Sequence, residues 1–148
     1  MNNITSPNTS DSAVEQQIQA KGKTAFRVTP ADVQSSIASE HYFTAAEGES
    51  AANSCYGNVG DSGPPALGLL TFCVLVLKNG FTVTGESVCA SPKHFDAETG
   101  CKIARQNAEQ KIWPLLGYEL KTLLARPVLT MADADADLAG TPRPSKHG

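Results

Sequence analysis

The sequence predicts an α+β fold, in which a small antiparallel β-hairpin or sheet packs with an N-terminal helix and two C-terminal helices in an oligomer. Two β-rich runs, residues 69–77 and 81–90, flank Asn79 and Gly80, the dipeptide most typical of a hairpin turn. Between residues 97 and 112, apolar side chains recur at helical spacing. At 148 residues the chain is long enough for one domain and too short for two ordinary ones.

The N-terminal helix is predicted to begin at Thr29. A threonine at this place accepts a hydrogen bond from a free N–H group of the first turn, and Pro30 suits the first helical position, where no donor is needed. Asp32 adds negative charge at the positive end of the helix. Val33 and Ile37 lie four residues apart and form only a narrow apolar stripe, so this helix has to pack on other elements to persist.

The turn at Asn79-Gly80 sets the faces of the hairpin. A two-residue turn pairs Val76 with Val83, and the side chains then alternate between two faces. We interpret the face that carries Phe72, Val74, Val76, Phe81 and Val83 as the core face. The opposite face carries Cys73, Leu75 and Leu77, and it is too apolar for water to be its whole environment. Gly85, inside the second strand, indicates a bulge or a close approach by another backbone segment.

Two helices are predicted after the hairpin. Asp96 is a suitable N-cap for the first of them. Its inward side is predicted to carry Ile103, Ala104, Ala108 and Ile112, and its outward side mainly Lys102, Arg105, Gln106, Glu109 and Gln110. Pro114 should end or kink this helix near residue 112 or 113. A shorter helix then carries Leu116, Leu120, Leu123 and Leu124.

The remaining segments lack apolar periodicity. Residues 1–22 are predicted to be a disordered N-terminal tail, and residues 127–148 a disordered acidic and proline-containing tail. The single domain between them, residues 23–126, includes a long loop over residues 44–66. Because a hairpin alone is marginally stable and this core is thin, we expect an added strand around residues 23–28 or a partner subunit to supply further burial.

Composition and cysteine spacing exclude several classes of protein. Twelve Lys and Arg against fifteen Asp and Glu give a net charge of −3, which argues against DNA binding. The longest apolar run, residues 67–77, is too short to cross a membrane, and the N-terminus does not resemble a signal peptide. The four cysteines are widely spaced, without the close ligand pairs of a zinc site. We therefore expect a cytoplasmic protein with no metal, no cofactor, no DNA partner and no membrane partner.

Catalytic motifs are missing from the sequence. It contains no nucleophile elbow, phosphate-binding loop, dinucleotide-binding glycine pattern or zinc-protease helix. His41, His94 and His147 have no nucleophile that the sequence places beside them, and the carboxylates Glu86 and Glu98 have no defined separation. We predict that the protein is not an enzyme and has no catalytic residue.

Ligand binding is better supported by the residues of the C-terminal half. Positive charges on Arg105 and Arg126 occur there with the rings of Phe95 and Tyr118 and the amide of Asn107. A guanidinium for phosphate, a flat ring for the base and an amide for polar edges are the groups that bind a nucleotide. The alternative is that the Lys and Arg side chains form a solvated helix face.

Several motifs resemble those of a known family. The stretches NGFTVTGES, FDAETG, KIARQNA and KIWPLLGYEL are together similar to the gene 66 family of small bacteriophage and prophage proteins, over residues 27–126. The layout has a weaker resemblance to the phage sponge proteins that counter the Thoeris defence system. That resemblance implies a homo-oligomer in the host cytoplasm that sequesters a cyclic ADP-ribose isomer or cyclic oligonucleotide without cleaving it. It also implies an aromatic, arginine and amide pocket between subunits, which we place on Phe95, Arg105, Asn107 and Arg126.

A second class of function remains open. The protein is alternatively a phage accessory module that docks on a host or phage protein through the apolar hairpin face of Cys73, Leu75 and Leu77. A pocket lined by arginine and an aromatic ring would favour the sponge function, whereas a flat, exposed apolar patch would favour the interaction module.

Overall fold

A three-stranded antiparallel sheet, crossed on one face by a 29-residue helix, forms the centre of the protein. The computed structural model describes residues 9–22, 26–57, 63–126 and 130–144. In chain order the elements are α1 (Thr9–Ala20), α2 (Pro30–Ser36), β1 (Ile37–Thr44), α3 (Ala45–Cys55), β2 (Leu70–Leu77), β3 (Thr82–Val88), α4 (Ala97–Ala125) and α5 (Met131–Ala139), with short 3-10 turns at Pro65–Leu69 and Pro92–His94. The strand order is β1-β2-β3, and the predicted α+β class is confirmed.

The hairpin turn has three residues instead of two. The N–H of Leu77 donates to the carbonyl of Phe81 at 2.8 Å, and the N–H of Gly80 donates to the carbonyl of Leu77 at 2.8 Å. Gly80 has a φ of +85°, whereas Asn79 stays at negative φ, so the geometry is a tight turn followed by a left-handed glycine. Leu75 therefore pairs with Val83, one residue away from the predicted register.

This one-residue shift places Val83 on the same face as Leu75 instead of the face of Val76. Cys73, Leu75 and Leu77 are buried against α4 and form the core with Val33, Val83, Ala104, Ala108 and Ile112. The prediction of a core face through Phe72, Val74 and Val76 is therefore wrong, because that prediction assumed both Asn79 and Gly80 at positive φ. These three side chains are only partly buried, on the side of the sheet away from α4.

The strand that joins the hairpin to complete the sheet, β1, comes from the segment directly after α2. Helix α2 begins as predicted, because the Thr29 side chain accepts from the N–H of Asp32 and the Asp32 side chain accepts from the N–H of Thr29. The helix ends at Ser36, and β1 follows directly, with Tyr42 opposite Cys73. The strand expected around residues 23–28 is not seen at residues 26–28, and residues 23–25 lie outside the described residues.

Helix α4 continues through Pro114 to Ala125, whereas the sequence predicted an end or a kink near residue 112 or 113 and a separate, shorter helix after it. A proline inside a helix removes one hydrogen bond and costs about 3 kcal/mol. Apolar contacts hold the helix on both sides of Pro114, since Ile112 is buried and Leu116 packs against the core. The predicted cap is confirmed, because the Asp96 side chain accepts from the N–H of Glu98.

Three helices lie where the sequence predicted irregular segments. Helix α1 falls within residues 1–22, α3 within the expected loop 44–66, and α5 within residues 127–148. At α3 and α5 a reciprocal cap explains the start: Thr44 bonds with Glu47, and Thr130 bonds with Asp133. These helices carry few large apolar side chains, which is why periodicity does not reveal them. Within the described ranges, no helix is both long and apolar enough to cross a membrane.

The sheet and α4 touch backbone to backbone at Gly85. A Cβ atom at this position would lie inside van der Waals contact of the Ala104 carbonyl oxygen and the Ala108 nitrogen, and 2.9 Å from the carbonyl carbon of Asn107. Both alanines are fully buried, and their small size lets the helix come this close. The predicted close approach at Gly85 is confirmed.

We predict that Gly85→Ala destabilises the protein by at least about 3 kcal/mol, because backbone atoms of α4 cannot move aside as a flexible side chain can. Urea unfolding measures the change. Gly117→Ala is the matched control: apart from the adjoining helix backbone, no atom lies within 4 Å of the added Cβ, so this helical substitution should stabilise by up to about 1 kcal/mol. Similar stabilities for the two variants would contradict the close contact.

Candidate functional site

Arg105 is buried in an ion-pair network that joins α2, β1 and α4. Only 3% of the residue is exposed. Its Nε donates to Oε2 of Glu40 at 2.8 Å, its Nη2 donates to Oε1 of Gln34 at 3.0 Å, and its Nη1 pairs with Glu109. Glu109 is 2% exposed and also accepts a hydrogen bond from the Gln34 amide. The guanidinium is thus committed to partners in its own chain.

The network explains why two charged residues lie inside the protein. Burial disfavours the charged form of Arg105, but the hydrogen bond that Arg105 donates to Glu40 and the negative charges of Glu109 and Glu40 outweigh this effect, so the pKa of Arg105 is raised. The prediction that Arg105 and Glu109 point outward is wrong, because each supplies the counter-charge that lets the other be buried. Ile103, predicted to point inward, is exposed instead.

Asn107 lies on a different side of α4 from Arg105. Its Nδ2 donates to the carbonyl oxygen of Glu86 in β3 at 2.7 Å. Residues two apart on a helix do not face each other, so Asn107 and Arg105 do not share a binding surface within one chain. The amide has a partner in the hairpin backbone.

Phe95 and Arg126 lie at opposite ends of α4. Phe95 precedes the helix and lines a cavity of about 220 Å³ together with Thr71, Cys89 and Ile103. Arg126 caps the other end. The helical rise of 1.5 Å per residue separates the two by about 45 Å. The four predicted site residues therefore do not converge in one chain.

Arg126 lines a groove between the hairpin turn and the C-terminal half of α4. The groove has a volume of about 340 Å³ and is lined by Leu77, Asn79, Phe81, Leu115, Leu116, Tyr118, Glu119, Thr122, Leu123 and Arg126. Tyr118 is 77% exposed, and the Phe81 ring is also largely exposed. Among the described residues, no carboxylate forms an ion pair with Arg126.

The helical side of this groove can be recognised in the sequence. Tyr118, Thr122 and Arg126 follow one another at intervals of four residues, which places them along one side of α4, and this signal was available in the sequence. Phe81 and Asn79 come from the hairpin turn, and only the tertiary packing places the turn beside the helix end.

A buried phenol and thiol lie beside the ion-pair network. The Tyr42 hydroxyl is buried without a hydrogen-bond partner of ordinary geometry among the described residues. Burial raises the pKa of the Tyr42 phenol and raises the pKa of the Cys73 thiol to about 11. In the described part of the chain, no cluster of three His, Cys, Asp or Glu side chains could hold a metal ion.

Comparison with known proteins gives the family. Residues 28–124, about two thirds of the chain, match the model of the "Phage protein (N4 Gp49/phage Sf6 gene 66) family". The chain belongs to this phage protein family. The predicted resemblance to the gene 66 family is thereby confirmed, and the resemblance to the Thoeris sponge proteins receives no support from the comparisons. No curated protein and no solved structure matches the chain.

The gene 66 family match covers most of the structural centre. It includes the contact at Gly85, the network of Arg105, and the groove residues Phe81 and Tyr118. It ends two residues before Arg126, and it leaves out α1 and α5.

We predict that Arg105→Met costs about 3–5 kcal/mol of stability, because it leaves Glu109 buried without a counter-charge. The double variant Arg105→Met/Glu109→Leu should regain most of this loss, since it removes both buried charges. Lys102→Met, which breaks the exposed pair with Glu98, is the control and should change stability by less than about 1 kcal/mol. A small effect of Arg105→Met in chemical denaturation would contradict the network.

We also predict that stability falls as the pH rises from 9 to 11. The thiol of Cys73 ionises near 9.0 when unfolded and near 11 when folded, so the unfolded state loses its proton first in this window. Cys73→Ala should reduce the slope of unfolding free energy against pH, whereas Cys55→Ala, at an exposed position, should leave it unchanged. Equal slopes for the two variants would count against a buried neutral thiol.

Proposed function

We propose that the protein is a phage anti-defence protein that binds and sequesters a cyclic nucleotide immune signal in the cytoplasm of the infected host. The ligand is a cyclic ADP-ribose isomer or a cyclic oligonucleotide, and it is held without cleavage. The observation that carries the proposal is the groove beside Arg126, which combines a guanidinium, two aromatic rings and an amide. A guanidinium binds phosphate, a flat ring stacks on a base, and an amide pairs with polar base edges.

Each part of the groove has a role in this proposal. The exposed guanidinium of Arg126 binds phosphate through charged hydrogen bonds. The rings of Phe81 and Tyr118 offer flat surfaces for a base. Glu119 and Thr122 supply acceptors for ribose hydroxyls or base N–H groups. A volume of about 340 Å³ lies within the usual range for small-molecule sites.

Sequestration requires only binding, whereas catalysis also requires groups that react with the ligand. A sponge has to lower the free concentration of a signal, and binding alone does this. Arg126, Glu119 and Tyr118 are the ionisable groups of the groove, and the proposed mechanism uses them to hold the ligand and not to transfer a proton. The released ligand is therefore chemically unchanged.

The test is calorimetry with cyclic ADP-ribose isomers and cyclic di- and trinucleotides. A charged hydrogen bond to phosphate contributes about 1.5–3 kcal/mol, so Arg126→Ala should weaken binding roughly tenfold to a hundredfold. The melting temperature should stay nearly constant because Arg126 is exposed. Lys121→Ala, an exposed cation on α4 outside the groove, is the matched control and should keep parental affinity. Ligand recovered by heating should be intact by mass spectrometry.

Three outcomes would count against this proposal. Absence of binding to every ligand would discard the sponge function. Binding that survives Arg126→Ala would move the site to the Phe95 cavity or elsewhere. A shortened or opened ligand after release would show an enzyme.

The second candidate function, docking on a host or phage protein, is favoured by the other face of the sheet. Helix α4 covers Cys73, Leu75 and Leu77, so the hairpin face that the sequence predicts as the docking surface is buried. On the opposite side, Phe43 and Phe72 contact each other with ring centroids 5.6 Å apart, next to the partly exposed Val74 and Val76. Val74→Lys separates the candidates: it should preserve ligand binding in the groove and abolish docking on this face.

A further inference from the structure

Helix α1 is attached to the rest of the protein by a few contacts. The Arg27 Nη1 and the Glu15 Oε2 form an ion pair at 2.7 Å, and the Gln110 amide donates to Asp11 at 3.3 Å. The apolar contribution is small, since Val14 is 55% exposed and Ile18 only partly buried. A helix of twelve residues is marginal in water, so α1 depends on this attachment.

The surface under α1 is incompletely filled. A cavity of about 190 Å³ lies between α1 and the side chains of Val28, Pro30 and Trp113. A more open cleft of about 510 Å³ separates α1 from the first turn of α2. Close-packed contacts leave little such space, so the α1 contact is looser than the packing of α4 on the sheet.

The backbone is strained where the chain returns from α1 to the body. Phe26 has a φ of +21°, and in the described ranges it is the one non-glycine residue at positive φ. Its side chain is 80% exposed, so no packing compensates for the strain. A left-handed conformation costs an ordinary residue about 1–2 kcal/mol. Gly22, just after α1, also has a positive φ, of +66°.

We propose that α1 is an exchangeable arm, and that two copies of the chain trade their arms. The partner is a second copy because its α1 fits the surface of Val28, Pro30 and Trp113 as well as the chain's own α1 does. Exchange preserves the ion pair of Glu15 with Arg27, and it lets Phe26 leave its strained conformation. Strained hinge segments favour domain swapping for this reason. The proposal does not depend on the ligand or on the groove of Arg126.

Charge reversal on the two sides of the arm contact tests the exchange. Glu15→Arg and Arg27→Glu each place like charges together in a pure sample, both within a chain and between identical copies. Each variant alone should dimerise at least tenfold more weakly than the full-length parent in sedimentation. Trp113, the single tryptophan, should become more accessible to acrylamide in each. When the two variants are mixed, exchange restores opposite charges at both contacts, so a mixed dimer with protected Trp113 should form.

The control is the same mixing experiment on Glu98→Arg and Lys102→Glu, whose ion pair lies within one helix and cannot be exchanged. Asp11→Cys/Gln110→Cys provides a second measurement that does not rely on charge. Exchange gives a disulfide-linked dimer on non-reducing electrophoresis, whereas an arm that folds back on its own chain gives a monomer. The proposal would be overturned if the mixture showed only the average of the dimerisation and Trp113 accessibility of the two charge variants. It would also be overturned if the parent remained monomeric at micromolar concentration.

Discussion

The direct contact between the backbone of α4 and the backbone of β3 at Gly85 sets the geometry of the whole protein. A side chain at this position would lift the helix from the sheet, and Ala104 and Ala108 are small enough to keep it down. At this short distance the layer between helix and sheet is thin, and a few apolar side chains fill it. The distance between the helix and the sheet is therefore fixed. The C-terminal half of the helix extends past the sheet to the hairpin turn.

The ion-pair network fixes the remaining freedom of α4, its rotation about its own axis. With the helix seated at Gly85, Arg105 lies within hydrogen-bond distance of Glu40 on β1 and Gln34 on α2. A rotation of the helix would leave the carboxylate of Glu109 buried without its partner, which is far more costly than the loss of an exposed pair. The same fixed rotation turns Tyr118 and Arg126 towards the groove beside the hairpin turn.

Local chemistry predicted much of the fold, and tertiary contacts decided the rest. The caps at Thr29 and Asp96 and the close approach at Gly85 follow from residue type and position alone. The hairpin register depends on whether Asn79 adopts positive φ, and composition does not decide that. Local periodicity predicts Arg105 on the outward side of α4, because its partner Glu40 is 65 residues away in the sequence. Of the groove, Arg126 was predicted, whereas Phe81 joins it only through packing.

The hydrogen bond from Asn107 to the Glu86 carbonyl has a consequence for the outer edge of the sheet. Strand β3 has no neighbouring strand beyond it among the described residues, and an open edge is a template on which foreign strands can add. The side-chain amide occupies a main-chain acceptor of that edge strand and interrupts any ladder that would form along it. Asn107, which the sequence analysis placed in a ligand pocket, thus blocks strand addition at this point of the sheet edge.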